Sequence, residues 1–122
     1  MIVGIGIDIV HVSRFAGMME RRPGMIERLF TERESRLPDG DLRGPASLAA
    51  RFAAKEAIAK ALGAPAGMAW HDCEIVVDDR GRPRVEMRGT VAAVASDLGI
   101  ERWHLSLTHD GDNAVAQAIG EA

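Results

Sequence analysis

At 122 residues, the chain is long enough for one domain with a core and too short for two. Hydrophobic residues at 47% and charged residues at 27% exclude a disordered chain, and a net charge of -3 gives no global signal for nucleic acid. No apolar run approaches the roughly 20 residues of a membrane helix, and the single cysteine, Cys73, excludes an internal disulfide scaffold. With no signal-peptide pattern at Met1-Ile2-Val3, the expected compartment is the cytoplasm.

Residues 2–10 are rich in Ile and Val and predict a strand. Alternation puts Val3, Ile5, Ile7 and Ile9 on one face, expected to be buried, and Gly4, Gly6 and Asp8 on the other. Ser13 is the expected N-cap of a short helix reaching about Glu20, interrupted by Pro23-Gly24. Residues 25–30 predict a second helical piece. Thr31 with Glu34 three residues later fits a capping box that opens a third. Two prolines and two glycines make 37–45 a loop.

The alanine-rich stretch 47–62 predicts the clearest helix, with Gly63 as its stop. Short alternating runs at 73–77 and 84–87 flank a hairpin-type connection. Residues 90–98 predict a helix ended by Gly99, and 103–108 and 114–119 predict two strands around a turn containing Asp110-Gly111. There is no internal repeat. The order implies one α+β domain, 1–122, with a mainly antiparallel sheet.

Three elements carry candidate chemistry. Two glycines weaken a strand, and their usual reason is close approach by a backbone or ligand. Asp8 beside that space suits a hard cation such as Mg²⁺, or it caps a neighbouring element. Along 47–62, Phe52, Glu56 and Lys60 recur every four residues on one side of the helix. Glu56 and Lys60 there form either a plain helix pair or, with Asp8, Arg51 and Lys55, two carboxylates and three cations suited to a metal–pyrophosphate site. On 104–110, His104, Ser106 and Thr108 share a face opposite Leu105 and Leu107, and His109 and Asp110 stand where the strand meets a turn.

Ser106 and His109 face opposite ways without a Gly-x-Ser-x-Gly elbow, which argues against a Ser–His–Asp nucleophile. Cys73 reads as core, and His11 and His71 give no zinc spacing. Arg14, Arg21, Arg22, Arg28, Arg33 and Arg36 cluster between 14 and 36 against four glutamates, a mixed solvated face or a surface for an acidic partner.

Taken together, GIGIDIV at 4–10, RLFTERE at 28–34, RFAAKEAIAKALG at 51–63, GRP at 81–83 and HLSLTHD at 104–110 resemble the small single-domain phosphopantetheinyl transferases, the holo-acyl-carrier-protein synthases, in order and spacing. The resemblance implies transfer of the 4′-phosphopantetheine group of coenzyme A to a serine of apo acyl carrier protein, in support of fatty acid biosynthesis, with release of 3′,5′-ADP. It implies Mg²⁺ on Asp8 and Glu56, and catalytic roles for Glu56, Lys60, His109 and Asp110. It also implies coenzyme A contacts from Arg51, Lys60, Pro83, Thr108 and His109.

The proton acceptor is left open between Glu56 and a metal-bound water positioned by Asp8, Glu56 or Asp110. A homotrimer with sites between subunits is implied, as is docking of an acidic carrier on Arg14, Arg21, Arg22 and Arg28. No nucleic acid or membrane partner is expected. Two other classes stand beside this reading: a metal-free module that binds coenzyme A or a carrier, and another Mg²⁺-dependent nucleotide enzyme, since Gly-Ile-Asp strands also occur in actin-like ATPases. The second needs a further phosphate loop, which the chain lacks.

Overall fold

The computed structural model describes residues 1–122. In chain order it contains β1 (Ile2–His11), α1 (Val12–Arg21), α2 (Gly24–Leu29), a single turn α3 (Glu32–Ser35) and the long α4 (Pro45–Ala61). A 3-10 turn (Trp70–Asp72) then leads to β2 (Cys73–Val77), β3 (Pro83–Met87), α5 (Gly89–Asp97), β4 (Arg102–Asp110) and β5 (Asn113–Glu121). This is the expected α+β order. The strands form two antiparallel sheets, β1-β5-β4 and β2-β3, where the element order implies one. No helix is long and apolar enough to cross a membrane.

Local signals account for most boundaries. Pro45 occupies the first turn of α4, where its missing N–H costs nothing, and Gly63 at φ 86° follows its end. The capping box at α3 is complete, with Thr31 and Glu34 exchanging side-chain and backbone bonds.

The larger core lies between α4 and the three-stranded sheet. Ala53 and Ala57 of α4 meet Ala116 and Ala118 of β5, all fully buried. Small residues let the helix backbone approach closely, and β1 carries this to its limit. A Cβ on Gly6 would overlap the Ala57 carbonyl, and one on Gly4 the Ala61 carbonyl. The glycines clear room for a helix rather than for a ligand.

That contact inverts the expected burial of β1. Ile5, Ile7 and Ile9 are 61%, 56% and 64% exposed, because α4 seats on the Gly4–Gly6–Asp8 face and nothing from this chain covers the other. A period of two identifies two faces without saying which one turns inward.

The helix cap at residue 13 also differs. His11 is the N-cap of α1, its Nδ1 accepting from the Arg14 N–H, and Ser13 lies inside the helix. Ser13 bonds instead to Asp112 in the β4–β5 turn, through both its backbone N–H and its hydroxyl.

Candidate active site

Close packing of α4 on β1 brings Lys60 and Asp8 together. The Lys60 ammonium donates to Asp8 Oδ1 and to the Ile7 carbonyl, each at 2.9 Å. The sequence offered Glu56 as its helix partner, but packing supplied Asp8. Asp8 is 18% exposed and Lys60 51%, so the pair lies at the mouth of the helix–sheet seam.

One turn earlier, Glu56 is half-buried and has no hydrogen-bond or ion-pair partner. Burial, followed by the negative charge of Asp8, pushes its carboxyl above the usual range, with Lys60 opposing. An unpartnered, partly desolvated carboxylate next to a second one is costly unless a cation or a proton arrives. Both carboxylates border a cavity of about 540 Å³ whose lining also includes Arg14, Arg21, Met18 and Phe52.

Lys55 does not join this cluster. Fully buried, it donates to Glu34 Oε1 at 2.8 Å and to the carbonyls of Trp70 and Cys73 at 2.8 and 2.9 Å. Its three N–H bonds are therefore used inside the core. Burial pulls the ammonium below its ordinary pKa, with Glu34 opposing. Lys55 is a strut linking α4, α3 and β2, not a free cation for phosphate.

Arg51 is also turned away from Lys60. Its Nη1 donates to Ser47 Oγ at 2.7 Å, and burial and nearby Arg43 pull it down to about 10. Its Nε, like that of Arg43, is buried without a partner. Arg43 sits in the Pro/Gly loop, away from the lining of the Asp8–Glu56 cavity.

The β4 residues divide between the two faces of the sheet. His109 lies opposite Ala114, which lies opposite Val10, so it shares the Asp8 face, two strands across and two residues further along, about 12 Å from Asp8. Thr108 and Asp110 fall on the other face, in line with Ile9 and His11. Within one chain, Thr108 and Asp110 do not reach the Asp8–Glu56 pair. Pro83 opens β3 in the separate two-stranded sheet. Cys73 is buried, and its thiol is pushed up to about 12 by desolvation, which keeps it protonated and inert.

Arg14, Arg21, Arg22 and Arg28 are exposed on α1, at its end and on α2. Arg14 and Arg21 line the same cavity as Asp8 and Glu56. The arrangement can hold a cation between two carboxylates, hold an anion on Lys60, and present a basic helix at the entrance.

The family model of the 4′-phosphopantetheinyl transferase superfamily matches residues 4–118. A holo-[acyl-carrier-protein] synthase of Salinispora arenicola is 59% identical over 121 residues, 99% of this chain and 99% of that protein. One of Streptomyces avermitilis is 57% identical over 120 residues, 98% of each. Among solved structures, a holo-(acyl-carrier-protein) synthase of Bacillus anthracis in complex with CoA (3′,5′-ADP) matches with TM-score 0.79 at 37% identity, covering 100% of this chain and 98% of that one.

Proposed function

Because the chain belongs to the holo-acyl-carrier-protein synthases of the 4′-phosphopantetheinyl transferase superfamily, we propose that it moves the 4′-phosphopantetheine arm of coenzyme A onto a serine of apo acyl carrier protein, as one domain spanning 1–122. The products are the holo carrier and 3′,5′-ADP. The observation that carries the reading is the partnerless Glu56 beside a Lys60-bound Asp8, at a cavity mouth bordered by α1.

The donor set fits Mg²⁺. Two carboxylates converge, one of them with no partner, and no third His, Cys, Asp or Glu joins them. Mg²⁺ is held by one or two carboxylates plus substrate phosphate oxygens, so Asp8 and Glu56 would hold it while the pyrophosphate completes its shell. When bound, the ion offsets negative charge on the pyrophosphate and helps align it. Lys60 contributes a second positive charge at the same place. It holds the Asp8 carboxylate in position and has one N–H left for a phosphate oxygen. Glu56, which has no hydrogen-bond or ion-pair partner, or a water that the two carboxylates orient, takes the serine proton as the hydroxyl attacks the β-phosphate.

The exposed Ile5–Ile7–Ile9 face supports a homotrimer, since an uncovered apolar sheet face suits burial against copies of the same chain. Thr108 and Asp110 lie on that face, and the reading sets them against a neighbouring copy's site, so that two chains complete each centre. Thr108, His109, Arg51 and Pro83 are assigned to coenzyme A. Asp110, with His109, is assigned to the reacting end.

The acidic carrier docks on Arg14, Arg21, Arg22 and Arg28, and the enzyme works in the cytoplasm in support of fatty acid biosynthesis. The test is to incubate the protein with coenzyme A, Mg²⁺ and a panel of apo carriers, then weigh the carriers. A gain of one phosphopantetheine arm, abolished by chelation, is expected. No gain on several competent carriers, together with no coenzyme A binding, overturns the reading.

A further inference from the structure

The first turn of α1 is built unusually. Helix N-termini leave backbone N–H groups without partners and are normally closed by a local Ser, Thr, Asp or Asn. Here the first turn has no acidic residue, and the N-cap is His11. Two of the open donors are closed by a residue from the far end of the chain. The Asp112 carbonyl accepts from the Val12 N–H at 2.7 Å, and its Oδ1 accepts from the Ser13 N–H at 3.1 Å. The same oxygen accepts from the Ser13 hydroxyl at 2.7 Å, while Oδ2 faces His11 Nε2 at 3.0 Å.

His11 Nδ1 already accepts from the Arg14 N–H, so the proton of a neutral imidazole sits on Nε2 and is donated to Asp112. The carboxylate also places negative charge at the positive end of the helix.

Three elements meet at this residue. Asp112 lies in the turn that joins β4, ending at His109-Asp110, to β5. It holds the end of β1, three residues beyond Asp8, and the turn of α1 that carries Arg14. His11 and Arg14 both line the cavity that contains Asp8 and Glu56.

We propose that Asp112 is a positioning residue for carrier docking: by capping α1 from the β4–β5 turn, it sets where Arg14 stands relative to the Asp8–Glu56 pair. The proposal rests on the reading that the carrier docks on α1. Asp112 itself touches no substrate.

The test is steady-state kinetics with apo carrier protein and coenzyme A varied separately. Asp112→Ala is expected to raise KM for the carrier roughly tenfold, the size expected when a helix cap is lost. KM for coenzyme A and kcat should stay within about twofold, and Asp112→Asn, which keeps the oxygen facing Ser13, should recover part of the loss. If Asp112→Ala does not fold, Ser13→Ala carries the test, with a smaller rise in the same constant.

A merely structural role would lower the active fraction and leave both KM values alone. That result, or an equal rise in both KM values, overturns the proposal. Arg14→Ala separates the two ideas. If it raises the carrier KM while Asp112→Ala and Ser13→Ala do not, only the positioning role fails. If Arg14→Ala also has no effect, Arg14 takes no part in docking and the proposal fails; only a null result with Arg14, Arg21, Arg22 and Arg28 all replaced by Ala overturns the docking reading.

Discussion

Helix α4 carries Lys55 and Lys60, and each meets a carboxylate from an earlier part of the chain. Lys55 and Glu34 are both fully buried, and every polar atom of the pair is used: Glu34 also accepts from the Thr31 and Ile75 N–H groups. Lys60 and Asp8 sit at a mouth, with Lys60 half exposed and Glu56 close by without a partner. The two sites use the same residue types on the same helix. Closure of the hydrogen-bond inventory separates them: the saturated pair has no bond left to offer, and the unsaturated one is open to a ligand.

Breaking the closed pair should give the largest effect on stability. Lys55→Ala strands Glu34 in the core and is expected to cost about 3–5 kcal/mol in urea denaturation. The double variant Lys55→Met, Glu34→Gln should recover part of it. The mouth should behave oppositely. Lys60→Ala is expected to change stability by less than about 1 kcal/mol, since an exposed pair contributes little. It should nevertheless slow carrier modification by about 10²-fold, the scale of losing one electrostatic contact in a transition state.

The glycine seam tests how the two sites depend on each other. Gly6→Ala pushes α4 off β1 and should cost about 1–3 kcal/mol, with activity falling because Lys60 no longer reaches Asp8. Calorimetry and the carrier assay measure the two parts.

The smallest effect concerns acid. Glu74, near Lys55, is held down at about 2 chiefly by Arg33, with Thr31 and Arg88 adding bonds. A depressed carboxylate stabilises the fold above its unfolded pKa near 4.5 and loses that contribution as pH falls toward 2. Because Arg33 is half exposed, the contribution should be about 1 kcal/mol. Glu74→Gln should flatten the acid limb of a stability–pH profile by that amount. Glu56 acts with the opposite sign: its raised pKa means that protonation relieves the folded state as pH drops.

Much of this was legible from residue patterns. The capping box at Thr31, the glycine stop at Gly63 and the alternation of β4 are local, and they appear where the sequence implied them. Asp8 and Glu56 were each candidates from their own element, beside the readings of a plain cap and a plain helix pair. What was not legible depends on contacts distant in sequence. Which face of β1 turns inward is decided by α4, about 50 residues later. Lys55 reads as a surface cation until Glu34 and two carbonyls arrive from other elements, and Ser13 reads as a cap until Asp112, 99 positions away, supplies one.

The most direct test of the difference between the two lysine sites is the rate of carrier mass gain with Glu56→Gln, at equal folded protein, coenzyme A and Mg²⁺. The open-site account predicts a rate about 10³-fold below that of the unsubstituted protein, with a urea midpoint equal or higher because a half-buried charge has been removed. An unchanged rate would contradict it and return Glu56 to the plain surface of a helix.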